Sequence, residues 1–284
     1  MEFVKGNDAD ILISPYVNTA DILATLEKLG LSNYCFPMEL VLTYDFHKIS
    51  QVYDLLQSDF SKMTYQTVLR FRSNDKRYVD AWEQILRPSI CQYFDMLNCI
   101  NKFITFLDVG AFCGESTERL ILNGTVMGVD KIYAFEPNHD KLSAISRRFD
   151  RLSGEWAIPR GNFVIVPKGA GDKKTTLGGK VQNSQIVIGD SSECSIEIDT
   201  IDHVLNGERA DFIKMDIEGA ELSALKGAYH TIKEDMPFLA ICIYHKSEDF
   251  YEIPLWLHEN FPEYKFDCRH YSRSFAETVL YAYR

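Results

Sequence analysis

The sequence predicts an α/β chain: a mostly parallel sheet with crossover helices, preceded by a helical layer. Two patterns carry this. From residue 103 onward, short apolar runs rich in Phe, Ile and Val alternate with stretches of helical spacing and with loops holding glycine or charge. Before about residue 100, apolar residues instead recur at helical intervals with little glycine between them. We therefore divide the chain into a mainly helical extension, 1–100, and a sheet domain, 101–284.

In order, Ile11-Leu12-Ile13 reads as a short strand, and Asn18 or Thr19 can cap a helix bearing Ile22, Leu23, Leu26 and Leu29, which Gly30 stops. Further helices carry Val52, Leu55 and Leu56, then Val68, Leu69 and Phe71. Strands follow at 103–109, 131–135, 162–166, 212–215 and 238–244, with 264–268 and 277–283 as a final pair. Helical spacing fills 116–123, 139–149, 220–232 and 252–260, and residues 172–200 form an excursion containing the β-like run SIEID.

Composition narrows the function. The 284 residues are 46% hydrophobic and 25% charged, with a net charge of −11. No Lys/Arg block exists to neutralise phosphates, which argues against nucleic acid as the main partner. No window approaches a membrane span, and the first residues lack a signal-peptide pattern, so the chain is expected in the cytoplasm. Its seven cysteines never fall into Cys-x-x-Cys spacing and are expected to be reduced, mostly buried thiols.

Four segments carry chemistry. In FLDVGAFCGES, a strand ends in Asp108, and Gly110 and Gly114 bracket a turn into a helix, where glycine permits close backbone approach to a ligand. The Gly-x-x-x-Gly spacing departs from the dinucleotide fingerprint, and Phe112 is bulky where a pyrophosphate would pass. In IYAFEP, Glu136 ends the second strand, where an acid can accept hydrogen bonds from both ribose hydroxyls; the alternative is a carboxylate at the start of the next helix. In DFIKMDIEGAE, Asp216 and Glu218 follow a strand toward the same crevice, and Lys214 shares a strand side with Asp216 and can pair with it. Glu221 reads equally well as an acid favoured by a helix N-terminus. In ICIYH, His245 ends a strand, and histidine is the side chain best matched to taking a proton near neutral pH. His270 is its rival. Asp216 and Glu218 alone are too little to assign a metal, and none is expected.

Together these blocks resemble the FkbM family of S-adenosylmethionine-dependent methyltransferases. The resemblance rests on FLDVGAFCGES, IYAFEP, TIDHVL, DFIKMDIEGAELSALKGA, ICIYHKSEDFYEIP and RHYSRSFAETVLYA in family order, and extends upstream through LLQSDFSKMTYQTVLRFRSND and QYFDML, covering about residues 50–284. It implies a class I methyltransferase fold, Rossmann-like, with a seven-stranded sheet and a C-terminal antiparallel hairpin. It further implies that Asp108, Gly110 and Gly114, with Ala111 and Ser116 in the same turn, frame the methionine part of S-adenosylmethionine. Glu136 would hold the ribose, and Gly169 and Ala170 would lie near the adenine. Glu115-Ser116 departs from the Asp-Thr or Asn-Ser that many relatives carry there.

Methyl transfer to oxygen needs a positioned hydroxyl and a base. That assigns His245, with His270 as rival, as base, and Asp216 and Lys214 as orienting partners. The expected acceptor is a hydroxyl of a sugar, glycan precursor or secondary metabolite. The helical extension is expected to cover the acceptor pocket with Tyr65, Arg70, Arg72 and Arg77. The competing classes are an NAD- or nucleotide-sugar-binding oxidoreductase and a methyltransferase-shaped binding protein without catalysis.

Overall fold

The computed structural model describes residues 45–73, 79–97, 100–123, 126–182, 185–188 and 194–284, with isolated positions 11–12, 28 and 34–35. A two-residue parallel pair, β1 (Ile11–Leu12) and β2 (Tyr34–Cys35), represents the expected first strand. The expected helix bearing Ile22 to Leu29 lies outside the described residues, except at Lys28, which is helical.

Among the described residues, three α-helices with defined bounds precede the main sheet. They are α1 (Phe46–Leu55), capped by the Asp45 carboxylate on the amides of His47 and Lys48; α2 (Asp59–Arg72), capped by Ser58; and α3 (Val79–Ile85). The sheet domain then runs β3 (Ile100–Val109), α4 (Glu115–Asn123), β4 (Val126–Phe135), α5 (His139–Trp156) and β5 (Phe163–Val166). After an excursion it continues with β10 (Phe212–Met215), α7 (Glu221–Lys226), α8 (Tyr229–Asp235), β11 (Phe238–Cys242), α9 (Asp249–Asn260), β12 (Lys265–His270) and β13 (Thr278–Tyr283). The seven strands lie in the order β12-β13-β11-β10-β3-β4-β5. Those from β11 to β5 are parallel, and β13 runs antiparallel to both neighbours, the expected terminal hairpin. One layer of helices on each face buries two clusters, centred on Leu107, Ile213 and Ile241 and on Phe106, Phe212 and Ala240. Neighbours along each strand thus face opposite layers, as a sheet covered on both sides requires.

The excursion is a second sheet, order β6-β9-β7-β8, of β6 (Gly169–Ala170), β7 (Thr175–Gln182), β8 (Gln185–Ile188) and β9 (Cys194–Asp199), followed by α6 (Ile201–Leu205). SIEID lies within β9.

Three expectations change. The helix expected over 220–232 is two helices, because Gly227 lies where a Cβ would meet the Gly171 carbonyl oxygen at 1.9 Å, so the chain bends around that contact. The strand expected to reach Tyr244 leaves the sheet after Cys242 pairs with Val279, which places His245 on a loop. The helix expected to end at 149 runs to Trp156, since Leu152 continues the buried face of Ile145 and Phe149.

The N-terminal helices lie against the hairpin edge. Leu56 and Leu86 bridge to Phe266 and His270 of β12, and the Ser58 and Ser61 hydroxyls donate to the Asp267 carboxylate. Tyr65 and Arg72, expected to face a ligand, are buried there: the Tyr65 hydroxyl donates to the Phe250 carbonyl and Arg72 to that of Phe275. Arg77 lies outside the described residues. The four cysteines with described side chains are free; Cys242 and Cys268 are buried, Cys91 and Cys113 half-buried.

His270 belongs to this packing. It is fully buried beside Trp82, with Nδ1 2.9 Å from the Thr278 hydroxyl, and burial pushes its pKa down to about 3. Below pH 6.5 the unfolded chain binds a proton that the fold refuses, so this contribution is complete above 6.5 and is lost as pH falls toward 3. Between pH 8 and pH 5 the wild type should lose about 2 kcal/mol that a His270→Gln variant keeps. Urea unfolding of both proteins at the two pH values checks this; parallel losses would refute it.

Candidate active site

The carboxyl ends of the parallel strands bring the first three chemical segments and His245 to one rim, where open α/β sheets bind ligands. At the centre, Asp108 and Lys214 are paired residues of adjacent strands β3 and β10, fully and nearly fully buried. Lys214 Nζ lies 3.1 Å from the Asp108 carboxylate and donates to the Gly110 carbonyl at 2.6 Å. Burial opposes the lysine's charge, yet Asp108 and then Asp216 outweigh it and raise its pKa. The sequence pointed to Asp216 as the partner, but cross-strand register gives Lys214 to Asp108. Asp108 also accepts from Ser116 at 2.5 Å and Thr117 at 3.0 Å, so Ser116 fixes the first strand end to α4.

The glycine turn is held from below and from the side. The amides of Gly110 and Ala111 both donate to the Phe135 carbonyl, at 3.1 and 3.0 Å. Gly110 has φ +82°, and a Cβ there would meet the Asp216 carbonyl oxygen at 1.9 Å, so glycine is required both for the conformation and for the approach of two strand ends. Gly114, φ +81°, opens α4. The Glu136 carboxylate accepts from the Phe112 amide at 2.9 Å and the Asn138 amide at 2.8 Å. Burial lifts its pKa against those two bonds. A loop amide that a phosphate would need is thus already occupied by a carboxylate. Gly169 and Ala170 pair with Ile198 and Asp199 of β9, just beyond β5.

Asp216 follows β10 and gathers three partners. It accepts from the hydroxyls of Tyr93, at 2.7 Å, and Tyr244, at 3.2 Å, and lies 3.4 Å from His245 Nε2. Burial would raise its pKa, but the charges of Lys214 and His245 and the two hydroxyls lower it. His245 Nε2 is also 3.5 Å from Glu218, and Nδ1 is 2.9 Å from the fully buried Glu221. Burial disfavours charging this ring; contact with Glu221, then the charges of Glu221, Asp216 and Glu218, prevail and raise its pKa to about 9. Asp216 and His245 are thereby brought together, whereas His270 contacts neither.

Several participants left no mark in the sequence. Tyr93, on the segment after α3, reaches Asp216, while Gln92 donates to the Tyr93 hydroxyl and to the Glu277 carboxylate. Among the described residues, seven non-glycine residues have positive φ. Ala157, Asn206 and Met236 end helices, but Tyr93, Phe112, Glu218 and Glu277 surround this site. Strain of this kind, about 1–3 kcal/mol per residue, gathers where side chains must be aimed. No residue type among them forecasts it.

The family profile for the methyltransferase FkbM domain matches residues 108–267, more than half of the chain. A methyltransferase FkbM from Methylobacillus flagellatus KT superposes with a TM-score of 0.77 at 22% identity, over 96% of this chain and 73% of its own. This likeness shows the class I methyltransferase fold. Fibrillarin from Aeropyrum pernix, solved with natively bound S-adenosyl-L-methionine, gives a TM-score of 0.41 at 12% identity over 65% of this chain and 68% of its own. No curated protein matches the chain. No helix among the described residues is long and apolar enough to cross a membrane.

Proposed function

Because the chain belongs to the FkbM methyltransferase family, we propose that it binds S-adenosylmethionine on this rim and methylates a hydroxyl of a sugar, glycan precursor or secondary metabolite. The observation that carries the reading is the convergence of a glycine turn, the pinned Glu136 and the Asp216–His245 cluster at adjacent strand ends.

The residues fit that cofactor. Glu136, pinned at the end of β4, suits the donor hydroxyls of a ribose, and an acid already bound to the loop amide disfavours a pyrophosphate. When bound, S-adenosylmethionine supplies an already activated methyl group. Gly110, Ala111, Gly114, Asp108 and Ser116 shape the turn that receives its amino-acid end, Glu136 takes the ribose hydroxyls, and Gly169 and Ala170 border the adenine. Asp216 and His245 hold and orient the acceptor hydroxyl, whose proton passes to water during transfer, with Lys214 fixing the strand ends beneath. His270, buried in the hairpin layer, takes no part in this reading.

Isothermal titration with S-adenosylhomocysteine tests the cofactor. Wild type should bind, and Glu136→Ala, checked for folding by circular dichroism, should bind about 10- to 100-fold more weakly, the loss of hydrogen bonds to a charged acceptor. Thermal stabilisation by NAD and not by S-adenosylhomocysteine would replace this reading with the oxidoreductase one. Labelled S-adenosylmethionine with a panel of sugar nucleotides and glycosides then identifies the acceptor. Cofactor binding without transfer to any hydroxyl would leave a binding protein.

A further inference from the structure

We propose that Asp216, Glu218 and His245 form a site for one divalent cation of the Mn2+ or Zn2+ type, with Glu221 behind the ring. Its use in methyl transfer rests on the reading above; its existence does not.

His245 Nε2 lies 3.4 Å from Asp216 Oδ1 and 3.5 Å from Glu218 Oε2. Tetrahedral bonds of about 2.0–2.2 Å place neighbouring ligand atoms about 3.3–3.6 Å apart, so each of these two carboxylate oxygens stands at ligand spacing from Nε2. On the other side of the ring, Nδ1 is 2.9 Å from Glu221 Oε1, the carboxylate–imidazole arrangement that leaves Nε2 as the nitrogen facing a metal. Donor atoms of Asp216, Glu221 and His245 all lie within 4.8 Å of one another.

Burial and charge point the same way. Only 8% of the His245 side chain and none of Glu221 is exposed, and Glu221 Oε2 and His245 Nε2 lack a hydrogen-bond partner. Leaving such atoms unsatisfied is costly, and a cation in the cluster offsets it. Three carboxylates meet one imidazole here, while the nearby ammonium groups are engaged elsewhere: Lys214 with Asp108 and the Gly110 carbonyl, Lys246 with the Gly219 carbonyl. Positive φ at Glu218 and Gly219, +56° and +92°, accompanies the turn that returns the Glu218 carboxylate to the ring. Glu218 is half-exposed, which gives an ion an entry path and leaves a coordination position toward solvent for a hydroxyl. A mixed imidazole and carboxylate set favours Mn2+ or Zn2+ over Ca2+. The ion would hold the acceptor oxygen and acidify its hydroxyl, whose proton passes to water.

The test uses the full chain stripped with chelator and titrated with Mn2+, free ion being read by electron paramagnetic resonance. We expect one bound ion per chain, at least tenfold weaker binding for Asp216→Asn and His245→Ala, and about 10- to 100-fold weaker binding for Glu221→Gln, with folding checked by circular dichroism. No binding up to millimolar Mn2+, or binding equal in wild type and both ligand variants, would overturn the site. S-adenosylhomocysteine titrations on the same samples separate the two readings. Cofactor binding in a chain that takes no ion removes the metal site alone; a bound ion in a chain that ignores the cofactor supports the site and removes the methyltransferase reading.

Discussion

Replacing His245 with Ala, or Asp216 with Asn, should lower kcat/KM for methyl transfer by about 10²- to 10⁴-fold while S-adenosylhomocysteine affinity stays within a few-fold of wild type. The expectation follows from position. Glu136 and the glycine turn occupy the ends of β4 and β3, whereas Asp216 and His245 follow β10 and β11, so in the reading proposed above the cluster meets the acceptor and not the adenosine. Asp216 is aimed by the Tyr93 and Tyr244 hydroxyls, so Tyr93→Phe should give a smaller loss, mostly in kcat, by loosening that carboxylate. Single-turnover rates with labelled cofactor and the acceptor found by the panel provide the measurement. Rates within threefold of wild type in both the His245 and Asp216 variants would remove this cluster from the reaction.

The second large effect is on stability. Lys214→Met should destabilise the fold by about 3–5 kcal/mol, because it leaves the fully buried Asp108 without its cation. In a domain of this size that corresponds to roughly 10 °C in Tm. The methionine retains the volume of the aliphatic stem, so the loss reports charge and the bond to the Gly110 carbonyl rather than a cavity. Adding Asp108→Asn should recover part of it, since asparagine still accepts from Ser116 and Thr117 but brings no uncompensated charge. Thermal melts of the single and double variants decide. A double variant less stable than Lys214→Met alone would show that Asp108 acts through something other than this pair.

The sheet and its rim were legible because their signals are local. Apolar runs of strand length, the Gly110-Gly114 spacing and an acid at the end of each of three strands depend only on neighbours in the chain. The parallel order then places those acids on one edge. Lys214 shows where locality stops: its own strand pointed to Asp216, and only pairing with β3 supplied Asp108. Glu221 could be read as an ordinary acid at a helix start until His245, 24 residues later, was seen lying against it.

What the sequence alone determined is the fold class, its strand ends and the candidate residues on them, since backbone periodicity and turn chemistry are short-range properties. Tertiary structure alone decided which of those residues touch. It brought Tyr93 to Asp216 across 123 positions, closed three carboxylates around His245, and buried His270 against Trp82. The physical reason is that charge pairing and desolvation fall off over a few ångströms in space whatever the separation along the chain, and that distance exists only once the chain has folded.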